Sequence, residues 1–170
     1  HNAHVDQPGL ALIEVDDTLA ALQRLAAVHR RSFSYPVVGI TGSNGKTVVK
    51  EWLNQLLRPE EHVVRSPGSW NSQVGVPLSV WAMGPTHGIA LFEAGISEPG
   101  EMERLAPIIA PTIGIFTNIG PAHGQHFASE GDKASEKAKL FASAHAVVHC
   151  ADHEAVRTAL AGTGTWAHAA

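Results

Sequence analysis

The residues best equipped for chemistry are Gly39-Ile40-Thr41-Gly42-Ser43-Asn44-Gly45-Lys46-Thr47, lying between an apolar run and a segment of helical periodicity. Small residues let a backbone turn tightly enough to aim N–H groups at a phosphate, and the N-terminus of a following helix adds partial positive charge. Lys46 supplies a full positive charge for β- and γ-phosphates, and Thr47 supplies a hydroxyl suited to Mg²⁺. The spacing is a shorter variant of the common G-x-x-x-x-G-K-[ST] loop, because Ile40 stands where that pattern has its first glycine. Thr41, Gly42, Ser43, Asn44, Gly45, Lys46 and Thr47 are therefore the expected nucleotide-binding residues. A plain Gly-rich turn explains the glycines but not the adjacent Lys-Thr. A dinucleotide site is a further reading of such a turn. Here, however, the glycines run G-x-x-G-x-x-G, and the next strand candidate ends in Arg65-Ser66 rather than in an acid that would hold a ribose.

Mg²⁺ prefers oxygen ligands and usually needs a carboxylate besides a hydroxyl. Glu93 closes the apolar run Ile89-Ala90-Leu91-Phe92 and precedes Ala94-Gly95. It is either the first exposed position of a strand or a metal ligand, and the phosphate loop favours the second. Among eleven histidines, His123 stands out because it follows Thr117-Asn118-Ile119-Gly120-Pro121-Ala122, at the end of another strand candidate. His123-x-x-His126 has a zinc-like spacing, but no third ligand is apparent and the only cysteine, Cys150, is far along the chain. Lys137 and Lys139 lie in the charged segment Ser135-Glu136-Lys137-Ala138-Lys139-Leu140-Phe141, which read alone is a solvated helix face.

These residues need a scaffold that brings them to one edge. Strand candidates at Val37–Thr41, His62–Arg65, Ile89–Glu93, Thr112–Asn118 and Ala146–Cys150 alternate with helix candidates at about 46–57, 75–83, 98–106, 129–143 and 153–161. That alternation indicates βαβ crossovers and an α/β fold, a mostly parallel sheet with helices on both faces, of the mononucleotide-binding P-loop type. Ligands of such sheets sit beyond the carboxyl ends of the strands, where every residue singled out above falls except Lys137 and Lys139. Before this region, residues 1–15 read as a linker, and Asp16 or Asp17 caps a lead-in helix through about Phe33. Residues 1–35 are thus linker and lead-in helix, and residues 36–170 the phosphate-binding domain, which the resemblance given below makes a central ATP-binding domain.

Composition agrees. With 170 residues, 44% hydrophobic and 16% charged, the chain is long enough for one packed domain and too apolar for a disordered segment. A net charge of −4 offers no general attraction to nucleic acid or to an anionic membrane, and no apolar run has the length of a membrane span. One cysteine and no evident signal peptide make the cytoplasm the expected compartment. The start at His1 and the ending Thr165-Trp166-Ala167-His168-Ala169-Ala170 suggest an excised piece of a longer protein.

In order, TGSNGKT, then Ser66-Pro67-Gly68-Ser69-Trp70-Asn71-Ser72-Gln73-Val74-Gly75-Val76-Pro77, then FEAG, TNIGPAH and EKAKLF resemble the central ATP-binding domain of the Mur ligases, the amide-forming enzymes of peptidoglycan synthesis. NSQVGVPL, PGEM and the helical lead-in most resemble the members that add D-alanyl-D-alanine to UDP-N-acetylmuramoyl-tripeptide, with a flavour of the form fused to an alanine racemase. The resemblance implies ATP and Mg²⁺ as cofactors and an acyl phosphate as intermediate. It also implies flanking domains for UDP and for the amino substrate, which this sequence lacks. By the same resemblance Lys46 holds the ATP phosphates, Thr47 and Glu93 a first Mg²⁺, and Glu93 with His123 a second. Lys137 aligns with a lysine carried N-carboxylated as a further metal ligand, Asn118 belongs to a cofactor-binding motif, and Asn71 lies on the substrate side. Ser72 replaces a usual second Asn, His126 stands where the family commonly has Glu or Gly, and Cys150-Ala151-Asp152-His153 only loosely echoes an Asn-x-Asp-Asp segment. Alternatives are a folylpolyglutamate synthetase-like ligase, a non-catalytic ATP-binding module, and a P-loop kinase or GTPase, although N-K-x-D is missing.

Overall fold

The computed structural model describes residues 11–120 and 126–163. Five strands, β1 (Val37–Thr41), β2 (Val63–Arg65), β3 (Ile89–Glu93), β4 (Ile113–Phe116) and β5 (Ala146–His149), form one sheet in the order β2-β3-β1-β4-β5. Every pairing is parallel. The helices are α1 (Thr18–Arg30), α2 (Lys46–Leu57), α3 (Gly75–Val80), α4 (Glu101–Ile109), α5 (Glu130–Ala138) and α6 (Glu154–Ala161), with α5 running into a 3₁₀ turn at Lys139–Phe141.

Unbroken apolar runs, rather than alternating ones, make the inner strands, because both faces of a parallel sheet are covered. All of β1 is buried, as is β3 from Ala90 onward. On one face, α2 lays Val49, Leu53 and Leu57 over Val38, Ile40 and Leu91. On the other, Val37, Phe92 and Phe116 meet the inner sides of the remaining helices, including Ala26 of α1, Met102 and Ile109 of α4 and Phe141 after α5. Gly114 is small for a reason: a Cβ there would run into the Phe141 ring. The helix expected before position 36 forms, capped by the Asp17 side chain accepting from the Ala20 amide at 2.9 Å. It shares this core, and buried Arg30 at its end donates to the carbonyls of Ile109, Phe33 and Ala110 at 2.8–2.9 Å.

Several boundaries differ from the expectations. Helix α4 covers 101–109 rather than 98–106. The Ser97 and Glu98 amides donate to the Glu101 carboxylate at 2.5 and 2.9 Å, which makes a turn of that stretch, and the helix then continues through Pro107 to Ala110 at φ 41°. Strand β4 stops at Phe116 because Thr117 and Asn118 turn away to bond the phosphate loop. Helix α3 ends at Val80, after which Ala82 and Met83 bond three residues back in a tightened turn.

Candidate nucleotide and metal site

The phosphate loop leaves the carboxyl end of β1, the central strand, and enters α2. Gly42 has φ 143° and Gly45, the N-cap of α2, has φ 79°, backbone conformations that side chains resist. A Cβ on Gly42 would also collide with the Thr117 hydroxyl. Thr41 is buried and donates to the Ala94 carbonyl at 2.8 Å, tying the loop to the end of β3.

Asn118 proves to be a brace. Its carbonyl accepts from the Ser43 amide at 2.9 Å, and its side-chain oxygen accepts from the Asn44 amide at 2.9 Å. The Thr117 hydroxyl donates to the Asn44 carbonyl at 2.6 Å and lies 3.2 Å from the Thr41 carbonyl, and the Gly120 amide donates to the Ser43 hydroxyl at 3.0 Å. With two loop amides so engaged, the amides opening α2 are left to face a phosphate. Lys46 reaches back along the loop and donates to the Gly42 carbonyl at 2.9 Å. Burial lowers the pKa of its ammonium, opposed by nearby Glu93 and assisted by Lys133.

Glu93 is fully buried rather than the first exposed residue of its strand. Thr47 donates to its Oε2 at 3.0 Å, and Asn71 Nδ2 stands 3.4 Å from the same oxygen. Its Oε1 lies 3.0 Å from Lys50 Nζ as an ion pair. That oxygen has no hydrogen-bond partner among the described residues. The Thr47 hydroxyl and Glu93 Oε2, side by side, suit a hard divalent cation such as Mg²⁺. Among the described residues, no cluster of three His, Cys, Asp or Glu side chains is placed to hold a metal. The fit therefore rests on the Thr47–Glu93 pair.

A cavity of about 590 Å³ opens over this edge, lined on one side by Gly42, Ser43, Asn44 and Lys46 and on the other by Asn71, Glu101, Lys133 and Lys137. Asn71 is held where the Gly95 amide donates to its carbonyl at 2.8 Å. Lys137 is buried at 2% exposure, not on a solvated face. Burial, reinforced by the ammonium groups of Lys46 and Lys133, lowers its pKa to about 7. Glu136 sets this orientation: it accepts from the Gly100 and Met102 amides at 2.8 and 3.2 Å, pinning α5 to the start of α4. Lys139 points elsewhere, paired with Glu103 and Glu136. His123 lies outside the described residues. His126 stands 3.9 Å from Glu98.

Lys50 and Lys133 were not singled out by sequence reasoning. Lys50 occupies the inward stripe of α2 with Leu53 and Leu57, and a charged residue at a core position was the available signal. Lys133 lies one turn before Lys137, on the same helix face.

The description "Mur ligase middle domain" fits residues 40–167. The chain belongs to the Mur ligase family. A relative from Treponema pallidum, named UDP-N-acetylmuramoyl-tripeptide–D-alanyl-D-alanine ligase, is 40% identical over 134 residues, 78% of this chain and 29% of its own length. The crystal structure of MurF from Acinetobacter baumannii superposes with a TM-score of 0.81 at 26% identity, over 88% of this chain and 35% of that one. The MurF ligase of Thermotoga maritima, solved in complex with ADP, gives a TM-score of 0.79 at 29% identity, over 94% and 38% of the two chains. The chain thus spans under a third of the length of that curated relative. Among the described residues, no helix is long and apolar enough to cross a membrane.

Proposed function

We propose that this Mur ligase domain is the ATP-binding part of a cytoplasmic ligase that adds D-alanyl-D-alanine to UDP-N-acetylmuramoyl-tripeptide. The observation that carries the reading is the meeting of Lys46, Asn71 and Lys137 around one cavity, with the Thr47–Glu93 pair next to Asn71. The names of the relatives supply the substrates. Flanking domains of the same protein would bring the UDP-linked and amino substrates.

In the reaction, the tripeptide carboxylate attacks the γ-phosphorus of ATP, releasing ADP and forming an acyl phosphate. The D-alanyl-D-alanine amine then attacks the acyl carbon, an amide bond forms, and phosphate and a proton leave. Such a transfer depends mainly on positioning and charge neutralisation. Lys46 exchanges the Gly42 carbonyl for phosphate oxygens. Thr47 and Glu93 would hold the first Mg²⁺, and the family resemblance gives Glu93 with His123 a second. Bound there, the metal neutralises charge on the transferring phosphoryl group. Asn71 orients the substrate. Lys137 carries an N-carboxyl group: its neutral amine attacks CO₂, an N–C bond forms and a proton is lost, converting a cation into an oxygen ligand. Its burial beside two other lysines favours that neutral amine.

Calorimetric titration with Mg²⁺ and a non-hydrolysable ATP analogue tests the reading. Binding by the 170-residue chain and loss of binding in Lys46→Ala are expected; equal binding by both would overturn it.

A further inference from the structure

Lys50 is fully buried, charged and outside the mechanism given above. Its ammonium donates to the Ser66 carbonyl at 2.9 Å and to the Gly68 carbonyl, both just after β2. It also stands 3.0 Å from Glu93 Oε1 and 3.1 Å from Glu51, which in turn lies 3.3 Å from Arg65. One side chain of α2 therefore grips the end of β2 and the acid at the end of β3. A buried ammonium is strongly disfavoured unless paired and hydrogen-bonded, so this lysine has one well-determined place.

The two carboxylate oxygens of Glu93 are thereby made unequal. Oε1 faces the ammonium, whereas Oε2 faces the Thr47 hydroxyl and the Asn71 amide. The Ser66 hydroxyl adds to the restraint, accepting from the Glu93 amide at 3.3 Å.

We propose that Lys50 is a positioning residue that holds the Glu93 carboxylate with Oε2 alone presented to the metal. The proposal rests on the reading of Glu93 as a metal ligand. Lys50 itself touches neither metal nor nucleotide. Its loss frees the carboxylate to turn and releases the Ser66–Gly68 segment, while leaving the phosphate loop and Lys46 in place. Partners of metal ligands typically alter metal affinity by about 10–100-fold when removed.

The test is a double-mutant cycle in the 170-residue chain with Lys50→Met, Glu93→Gln and the two combined. Mn²⁺ affinity is read from its EPR signal at saturating ADP, metal-free ADP affinity by calorimetry, and folding by near-UV circular dichroism. Lys50→Met is expected to weaken Mn²⁺ about tenfold or more and leave metal-free ADP binding unchanged. The double variant is expected to bind Mn²⁺ as Glu93→Gln does. Wild-type Mn²⁺ affinity in Lys50→Met, with loss in Glu93→Gln, overturns the role of Lys50 and leaves the metal reading standing. A further full loss in the double variant also overturns it, because Lys50 would then act independently of Glu93. Wild-type affinity in Glu93→Gln overturns the metal reading and this proposal with it. Should Lys50→Met alone not fold, Lys50→Gln, which keeps a donor for the buried carboxylate, takes its place in the cycle with the same expected and overturning results.

Discussion

Lys137 and Lys139 are two residues apart on one helical segment and end in opposite surroundings. Lys137 is buried against the cavity, whereas Lys139 is held at the surface by Glu103 at 2.6 Å and Glu136 at 2.7 Å. Two residues turn a helix by about 200°, so only one of the pair can face the phosphate loop. In the complete ligase, Lys137→Ala is expected to reduce ligation roughly 100-fold or more, the scale of losing a preorganised charge-stabilising group, with little change in ATP binding. Added acetate should restore part of the rate, and Lys139→Ala should stay near wild type. Ligation assays on both variants check this; an inactive Lys139→Ala beside an active Lys137→Ala would transfer the role.

In its unmodified form, Lys137 also makes stability depend on pH. Its folded pKa, about 7, lies below the ordinary value of 10.5. Between those values the unfolded chain binds a proton that the folded chain does not, so stability rises with pH across that window. A shift of this size corresponds to at most about 5 kcal/mol. Below about pH 7 both states are protonated and the cost is fully present. Denaturant midpoints from pH 6 to 10 should therefore climb in the wild type by more than in Lys137→Met, which lacks the titrating group.

At Gly42, a methyl group meets both a backbone conformation near φ 143° and the Thr117 hydroxyl. Gly42→Ala is expected to cost about 3 kcal/mol, combining strain and overpacking. Because the same change displaces the loop, nucleotide affinity should fall with it, as thermal melts with and without ADP would reveal. An unchanged melting temperature would contradict the loop geometry.

Asn118→Ala removes the acceptor of the Asn44 amide but keeps the backbone bond to Ser43. The expected loss is about 1 kcal/mol of stability and a several-fold weaker ADP complex, through a looser loop rather than a lost ligand contact. Chemical denaturation and calorimetry on one variant separate the two effects.

Much of this fold is legible in single segments. The apolar runs of β1 and β3 mark their own limits, and the glycines, Lys46 and Thr47 mark the loop, because a parallel inner strand and a phosphate turn each demand particular residue types. Where boundaries rest on side chains bonding to backbone, local pattern is a poor guide. Glu101 capturing the Ser97 and Glu98 amides is one case, and Thr117 and Asn118 leaving β4 early is another. The burial of Lys137 and Lys50 is equally hidden, since a lysine reads as solvated until a second element is known to cover it. Helix α4 covers the first through Glu136, and the end of β2 covers the second.

The phosphate loop, Glu93 and Asn118 all issue from β1 and its two immediate neighbours, with β2 and β5 outermost. The ladder that sets Ile40 opposite Glu93 and Thr41 opposite Phe116 lies directly beneath them. Amide hydrogens there should be among the last in the molecule to exchange with solvent, while those of β5 and α6 exchange through partial opening. Fraying at the rim can then proceed without disturbing the spacing of loop, acid and brace. Any movement that accompanies catalysis must come from the connections above the sheet, because the sheet beneath them is its most protected part.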